Sequence, residues 1–400
     1  MSPKRILYVT SMLPASGRHG GRQAVYNHLR DLNEAGERLS VELLVVDTDN
    51  SGESIPDDLR VERFQLFARE FKGWNDQGGK IIAFRQLLFD RRPRAAAMAF
   101  SSAARRWLQE RLKVTRYDAL VVEHANAWSV VEGIETVLPL IYIAQNIEEE
   151  IVWDELKSKK LFSPHRARLF VDWIKTKRYE KKLLLNASKV ICISSFDGKK
   201  LAASNPSANI EIWPELPKLK KPQAREWNEK TLLFVGSPGH FPNIEAARWL
   251  AYELISEVRK LCPDACLHIT GCRRDEVVGR EEIDGVVFEG FVSRERLTEL
   301  HDISVLFICP VIFGSGVKIK LLEAIAHGLP SVATAESLRG IDFIQDNVEV
   351  ITRDAQSAAR QIADLLIRPE RLERRSKAGY AALAKAVASR KNLGELIGVL

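Results

Sequence analysis

The hydrophobic residues of this chain are grouped in short continuous runs, and longer amphipathic stretches lie between the runs. The runs are rich in Val, Ile and Leu, as is typical of strands that are buried on both faces. Residues 243–261 show the intervening pattern, with apolar positions at helical spacing. Strands alternating with helices predict an α/β fold, in which parallel sheets carry helices on both faces. Ten runs predict strands, at residues 5–10, 41–46, 119–123, 140–145, 190–194, 232–236, 267–271, 286–290, 305–310 and 331–334.

A polar segment with three prolines, residues 212–230, divides this pattern into two halves. A chain of 400 residues is also too long for one hydrophobic core and suits two domains. Each half begins with its own strand–turn–helix unit, so we expect two Rossmann-like domains that face each other across a cleft. The expected domains are residues 1–215 and 216–385, and residues 386–400 are expected to form a helix that crosses back to the first domain.

Composition adds the cellular setting. Hydrophobic residues make up 46% of the chain and charged residues 28%, which is typical of soluble globular proteins. The first apolar run is too short for a signal peptide, and no run reaches the roughly 18–20 residues of a membrane span, so we expect a cytoplasmic protein. The five cysteines are odd in number and widely spaced, which argues against a disulfide framework. Cys262, Cys266 and Cys272 lack paired CxxC spacing and are interpreted as structural thiols, so we expect no metal site.

The net charge of +6 is concentrated in two segments. Residues 80–113 contain nine Lys or Arg against two acids, and residues 157–182 contain ten against two. Aromatic and aliphatic residues are interleaved with these charges, a composition that suits an anionic lipid surface or the solvated face of an amphipathic helix. Because no nucleic-acid-binding motif occurs, we favour an anionic membrane surface over nucleic acid as the partner.

Two glycine-rich loops follow predicted strands. After the first strand, Gly20 and Gly21 precede a predicted helix, where glycines allow close backbone approach and free N–H groups attract anions. The loop does not have the GxGxxG spacing of dinucleotide-binding proteins. The second loop, in the sequence FGSGVKIKLLEAIAHG, places Lys318 and Lys320 at a predicted helix start, with Glu323 one turn further on.

An acid so close to a phosphate site would repel phosphate but could accept hydrogen bonds from ribose hydroxyls. The second loop therefore predicts a site for a nucleoside diphosphate. A glycine turn followed by an amphipathic helix with a Lys–Glu pair is the alternative interpretation.

Both halves of the chain resemble the retaining GT-B glycosyltransferases, in particular the GT4-like group (glycosyl transferases group 1). In the N-terminal half the resemblance is carried by HGGRQAVYNHL, YDALVVEHANAW and ASKVICISSFD. In the C-terminal half it is carried by LLFVGSPGHFPN, FEGFVSRERLTELHDISVLFICP and GSGVKIKLLEAIAHGLPSVAT. The resemblance covers most of the chain, and residues 50–115 are the least similar part.

The resemblance implies a role for each matched residue. Glu323 matches the second acid of the family's E-x7-E motif, which contacts the donor ribose, whereas Ser315 stands in place of the first acid. His124 matches the histidine that touches the transferred sugar or the leaving group, and a satisfied histidine at a strand end is its alternative interpretation. The resemblance implies His124, Lys318 and Glu323 as catalytic residues, and as donor-binding residues Gly20, Gly21, Gly236, Phe291, Val292, Gly314, Ser315, Gly316, Val317 and Lys320.

The resemblance also implies a reaction without cofactor or metal. The nucleoside diphosphate leaves while the acceptor hydroxyl approaches the same face of the sugar, and helix dipole and lysine charge stabilise the leaving group. We therefore expect a hexosyltransferase that uses a nucleotide sugar and a lipid-linked or polysaccharide acceptor, in the cytoplasm or at the inner face of the membrane. A catalytically silent GT-B module that binds a nucleotide sugar or a partner protein is the first alternative. A GT-B epimerase of nucleotide sugars is the second.

Overall fold

The computed structural model describes residues 3–15, 20–47, 54–70, 90–157, 159, 163–237, 239, 241–279, 281–314 and 316–399. These residues form two compact units. The first, the N-terminal unit, contains residues 1–214 together with 391–400, and the second, the C-terminal unit, contains residues 215–390.

The described part of the N-terminal unit is built on a parallel sheet of seven strands in the order β3-β2-β1-β4-β5-β6-β7. The strands are β1 (Lys4–Thr10), β2 (Leu39–Asp47), β3 (Arg63–Ala68), β4 (Ala119–Glu123), β5 (Leu140–Ala144), β6 (Lys189–Cys192) and β7 (Ile210–Ile212). The α-helices in the described part of this unit are α1 (Gly20–Asn33), α2 (Arg94–Met98), α3 (Ser102–Val114), α4 (Glu148–Lys157), α5 (Pro164–Asn186), α6 (Ser195–Ser204) and the C-terminal α14 (Leu393–Ile397).

Strand order reverses at β1, so crossover helices cover both faces of the sheet. The alternating side chains of β1, β2 and β4 enter two separate apolar clusters, one on each face. One cluster contains α1 and α14, and the other contains α3 and α5. The main-chain N–H of Leu393 donates to Asp31 at 2.6 Å, which ties α14 to α1.

The C-terminal unit repeats this plan with six parallel strands among its described residues, in the order β10-β9-β8-β11-β12-β13. The strands are β8 (Thr231–Val235), β9 (Cys266–Thr270), β10 (Val286–Gly290), β11 (Leu306–Cys309), β12 (Ser331–Ala333) and β13 (Glu349–Val350). The helices are α7 (Phe241–Trp249), α8 (Ile255–Leu261), α9 (Arg274–Val277), α10 (Arg294–Ile303), α11 (Ile319–Ala326), α12 (Ala355–Leu366) and α13 (Pro369–Ser389), and a π-helical turn (Leu250–Leu254) joins α7 to α8.

The ten predicted strands and the α/β class are confirmed, and the sequence pattern missed β3, β7 and β13. All three are edge strands, and all are only partly buried. Partial burial leaves no continuous apolar run, so these strands do not stand out by hydrophobicity. Among the described residues, no helix combines the length and the apolar character that crossing a bilayer requires.

A buried histidine, His301, stacks on the half-buried His327 in the C-terminal unit, next to the ends of α10 and α11. The rings of His301 and His327 lie 4.6 Å apart between centroids. Arg225 fixes this corner, because its guanidinium donates to the main-chain oxygens of Asp302 at 2.9 Å and His327 at 2.7 Å. Burial, together with the neighbouring His327 and Arg225, lowers the pKa of His301 to about 4.

We expect acid to destabilise the protein through this histidine. Below pH 6.5 the unfolded chain protonates His301, whereas the folded protein does so only near pH 4, so the free energy of unfolding falls as the pH drops through this window. The contribution is about 3 kcal/mol. Urea unfolding at pH 7 and pH 4.5 measures this loss. Between the two pH values, the free energy of unfolding should fall less for His301→Phe, which retains a stacking ring, than for the wild-type protein. An equal loss in both proteins would contradict the assignment.

Candidate functional site

The second glycine-rich loop lies at the carboxyl end of β11 and leads directly into α11. Gly314 and Gly316 have φ angles of 99° and 80°, in the left-handed region that favours glycine. Lys318 is the N-cap residue of α11, and its Nζ donates to the main-chain oxygens of Gly314 at 2.9 Å and Gly316 at 3.0 Å. Lys318 therefore braces the loop from within. Ser315 lies outside the described residues.

Lys320 occupies the first turn of α11 and is held in an apolar setting. Its Nζ donates to Asn243 Oδ1 at 2.6 Å and lies 4.9 Å from the centre of the Phe234 ring. Burial lowers the pKa of Lys320 to about 8, although Cys309 and Cys272 act in the opposite direction. A poorly hydrated ammonium of this kind gains more from an anionic ligand than an exposed lysine does.

Glu323 lies one turn beyond Lys320. It is half-buried, and its carboxylate makes no hydrogen bond or ion pair with any residue that the structure describes. Burial raises the pKa of Glu323 to about 7; the charge of Glu215 acts in the same direction, and Arg294 and Lys320 oppose it. A half-buried carboxylate with vacant acceptor positions is costly in the unbound protein and suits a ligand that brings hydroxyl donors.

The remaining predicted donor-binding residues of the C-terminal unit lie at the carboxyl ends of β8 and β10. A Cβ at Gly236 would lie 2.2 Å from the Sγ of Cys272, so only glycine fits where β8 ends. Phe291, just after β10, exposes 74% of its surface, whereas Val292 packs against the core. β10 is separated from β11 by two strands, which corresponds to about 14 Å along the sheet edge. The predicted donor-binding residues of this unit therefore all lie at the carboxyl ends of the strands, spread along that side of the sheet. Val317, within the glycine loop, lies there too.

In the N-terminal unit the structure brings Gly21 and His124 together. α1 begins at Gly20, and its first turn contains no acidic residue. A Cβ at Gly21 would lie 2.4 Å from the Sδ of Met12 and 3.5 Å from the Nε2 of His124. A larger residue at position 21 would therefore collide with Met12, while His124 lies at van der Waals distance from the helix start.

His124 has an unusual backbone conformation, and one of its two ring nitrogens has no partner among the described residues. Its φ of 67° is the only positive value outside glycine among the described residues, and for histidine this conformation is strained. The side chain is buried, and its Nε2 has no hydrogen-bond partner in the described part of the chain. Burial lowers the pKa of His124 despite the nearby charge of Glu123, so the imidazole is neutral at pH 7. Strain and an unpaired buried nitrogen are typical of a binding residue rather than of a satisfied core histidine.

The sequence interpretation missed the group beneath His124, which we call the Glu123 hub: Tyr8, His28, Glu123 and Gln145. The fully buried carboxylate of Glu123 accepts hydrogen bonds from Tyr8 Oη at 2.5 Å, His28 Nδ1 at 2.7 Å and Gln145 Nε2 at 2.5 Å. Burial alone would raise the pKa of Glu123, but His28 and Tyr8 bring it below its usual value. An ionised carboxylate thus ties β1, α1 and β5 to the residue before His124. The acid ending an otherwise apolar strand was the available signal.

The segment after β5 begins α4 with an acidic first turn. The carboxyl of Glu148 is partly buried, and burial raises its pKa to about 7. Its main-chain N–H donates to the buried Glu180 at 2.8 Å, so the helix start is capped by a carboxylate from α5. Asn146 precedes it, outside β5 and α4.

The cysteines are free thiols. Cys266 lies 3.9 Å from His268 Nε2, and His268 in turn pairs with Glu289 at 2.8 Å. Within the described ranges, no group of three or more His, Cys, Asp or Glu side chains is arranged to hold a metal ion.

Comparison with known proteins adds a family match for the unit that contains Lys320 and Glu323. Residues 229–368 match the family model described as glycosyl transferases group 1. This range covers the glycine loop, α11 and the ends of β8 and β10, and it is about a third of the chain. No curated protein matches the sequence.

Solved structures share the fold along nearly the whole chain. TarM has a TM-score of 0.68 at 10% identity, and the match covers 99% of this chain and 98% of TarM. Sucrose-phosphate synthase from Thermosynechococcus elongatus has a TM-score of 0.63 at 15% identity, covering 99% and 96%. WaaG, a glycosyltransferase involved in lipopolysaccharide biosynthesis, has a TM-score of 0.59 at 17% identity, covering 98% and 97%. At these identities the similarity establishes the GT-B fold.

Proposed function

We propose that this chain, a glycosyltransferase with the GT-B fold and a group 1 domain in its C-terminal unit, transfers a hexose from a nucleotide sugar to a lipid-linked or polysaccharide acceptor. We further propose that the anomeric configuration is retained and that no metal takes part. The observation that carries the donor proposal is the pair formed by Lys320 and Glu323 on the first turns of α11.

The donor diphosphate would bind at the start of α11. Main-chain N–H groups of the glycine loop would donate to it there, and the helix dipole would add partial positive charge. Lys320 supplies an ammonium that is poorly solvated and hence strongly attracted to phosphate. Lys318, which already donates to two loop carbonyls, would contribute mainly by holding the loop in its binding conformation. The donor ribose would occupy the vacant acceptor positions of Glu323.

His124 would contact the transferred sugar. Its buried Nε2 can donate or accept one hydrogen bond that no residue in the described ranges satisfies, and a sugar hydroxyl fits this requirement. Its lowered pKa keeps the ring neutral, so it would orient the sugar without repelling positive charge that develops at the anomeric carbon. The Glu123 hub would hold the strained backbone in place.

The proposed reaction needs no protein nucleophile. The bond between the anomeric carbon and the diphosphate oxygen breaks while the acceptor oxygen bonds to the same face, and the acceptor proton passes to the leaving phosphate. Lys320 and the α11 N–H groups would stabilise the charge on the diphosphate. A chelator should therefore leave the rate unchanged if metal independence is correct.

The acceptor class is inferred from two solved relatives. A TarM variant from S. aureus was solved with α-GlcNAc-glycerol and UDP, and WaaG takes part in lipopolysaccharide biosynthesis. Together with the basic segments of this chain, these relatives support a lipid-linked or polysaccharide acceptor. We place the protein at the inner face of an anionic membrane, as a peripheral cytoplasmic enzyme.

A panel of nucleotide sugars incubated with the purified protein tests the proposal. We expect one donor to raise the melting temperature and to release its nucleoside diphosphate when membrane extract supplies an acceptor, with chelator present. Stabilisation without release, even with the extract, would instead favour the catalytically silent binding module. Conversion of the donor to another nucleotide sugar without acceptor would favour an epimerase. No response to any donor would overturn the donor site.

A further inference from the structure

One face of α5 in the N-terminal unit is exposed and divides into an apolar and a basic half. The exposed or half-exposed positions recur at helical spacing along the helix. Towards the N-terminal end they include Ala167, Phe170 and Val171, and towards the C-terminal end they include Lys177, Arg178, Lys181, Lys182 and Leu185. Phe170 exposes 48% of its surface, although it is a large aromatic residue.

The acids of α5 do not balance these cations, because both face the protein interior. Asp172 accepts the main-chain N–H of Arg94 at 2.7 Å, and Glu180 accepts that of Glu148. Arg178 and Lys181 have no ion pair with any residue in the described ranges, and both are exposed. The charge that this helix presents to solvent is therefore entirely positive.

The neighbouring α4 extends the apolar half. Trp153 exposes 38% of its surface and packs on Trp173, with ring centroids 4.8 Å apart, and Phe170 lies 5.8 Å from the same ring. Three acids of α4 pair with lysines, which are Lys177 for Glu149, Lys200 for Glu150 and Lys157 for Asp154, and Glu155 lies 3.5 Å from the Nε2 of His165. On α5, Lys177 is paired with Glu149 and Lys182 with Glu132 at 2.6 Å. Among the described residues, the uncompensated positive charge of α5 is therefore carried by Arg178 and Lys181.

The other basic segment of the sequence is different. In its described part, Phe100 and Trp107 pack against the core cluster on the α3 side of the sheet. Exposed cations such as Arg106 and Lys113 therefore lie on a helix whose aromatic residues point inward. Within the described residues of the two basic segments and α4, exposed aromatic rings and unpaired cations occur together only on the surface formed by α4 and α5.

We propose that the α4–α5 face, defined by Trp153, Phe170, Val171, Arg178 and Lys181, is the surface that binds an anionic lipid bilayer. This inference rests on the proposed membrane association and identifies the surface responsible. Aromatic rings and a valine can enter the headgroup region, while the adjacent cations attract anionic headgroups. Charge complementarity selects a lipid surface of negative charge, because the apolar area alone would not distinguish it from a neutral one.

Sedimentation with vesicles tests the assignment. Wild-type protein should bind vesicles of phosphatidylcholine with one-third phosphatidylglycerol much more strongly than vesicles of phosphatidylcholine alone, and added salt should weaken binding. Arg178→Gln/Lys181→Gln should lower the affinity about 30-fold, since each cation near the surface contributes roughly fivefold. Phe170→Ser should lower it about tenfold.

Matched controls separate the surface from general charge. Arg106→Gln/Lys113→Gln removes the same charge from α3, and Val114→Ser removes an exposed apolar residue there; both should change affinity less than threefold. Equal losses in the α3 and α5 variants would overturn the surface assignment. If the wild-type protein did not bind the anionic vesicles, both the surface assignment and the proposed membrane association would be overturned. Nucleoside diphosphate release, measured without vesicles on a soluble acceptor, would still report on glycosyl transfer, so the two failures remain distinct.

Discussion

Glu323→Gln is expected to lower kcat/KM for the nucleotide sugar about 100-fold while stabilising the ligand-free protein at pH 8. The amide keeps the shape of the carboxyl but replaces one acceptor oxygen with a donor, so one ribose hydroxyl loses its partner and the buried NH₂ remains unsatisfied. A loss of about 3 kcal/mol in transition-state binding corresponds to this factor.

The stability gain follows from the pKa of about 7 for Glu323. Between pH 4.5 and 7 the folded protein binds more protons at this site than the unfolded chain does, so the free energy of unfolding falls as the pH rises through that window. Above pH 7 the buried charge costs about 2 kcal/mol, which the uncharged glutamine avoids. Near pH 4.5 wild type and variant should be equally stable.

Initial rates and thermal melts at pH 5 and pH 8, measured on the same samples, test whether Glu323→Gln combines lower activity with higher stability. Glu253→Gln, an exposed acid of the same unit, is the control and should change neither quantity. Wild-type turnover by Glu323→Gln would contradict the ribose contact. A loss of both activity and stability would instead show that Glu323 serves the fold.

His124→Gly and His124→Ala are expected to abolish transfer to a similar extent, about 100-fold, but to differ in stability. Both remove the imidazole that we propose for the transferred sugar. At a φ of 67°, alanine retains the backbone strain whereas glycine relieves it. The free energy of unfolding should therefore be about 1 kcal/mol higher for the glycine variant than for the alanine variant. This figure allows for the greater conformational freedom of glycine in the unfolded chain.

Urea unfolding of the two variants, beside donor-turnover assays, provides the comparison. Ala125→Gly, the next position along the chain, is a suitable control, because glycine there relieves no positive φ and should only destabilise. Full activity in either His124 variant would remove the histidine from the site. Equal stability of the two variants would show that the strain is not present in solution.

Elements with a continuous apolar run were predictable, and so were loops marked by glycine. β4 and β11 are completely buried, so hydrophobicity alone identifies them, and the loop at Gly314 lies where glycine and lysine spacing indicates. β13 has two residues, one of them exposed, and offers no run to detect. The interpretation of Lys318 as a diphosphate ligand could not anticipate its bonds to Gly314 and Gly316, since these depend on the side-chain conformation.

Contacts between residues that are far apart in the sequence could not be predicted from the local sequence pattern. The strain at His124 is a property of the folded backbone, and the Glu123 hub joins positions 8, 28, 123 and 145, which are separated by long stretches of chain. Likewise, the inward orientation of Asp172 and Glu180 decides the charge of α5, although their sequence positions lie among lysines. Spacing places such residues on a helix or strand but not against their partners.

The Glu123 hub also constrains how the protein can change over evolutionary time. An ionised carboxylate deprived of its donors inside a core costs several kcal/mol, whereas an apolar set of the same volume costs little. Single replacements of Tyr8, His28 or Gln145 should therefore be purged more strongly than replacement of the whole group. Homologous sequences should show these positions covarying, with an acid at 123 accompanied by hydrogen-bond donors at 8, 28 and 145, and apolar residues appearing at all four together.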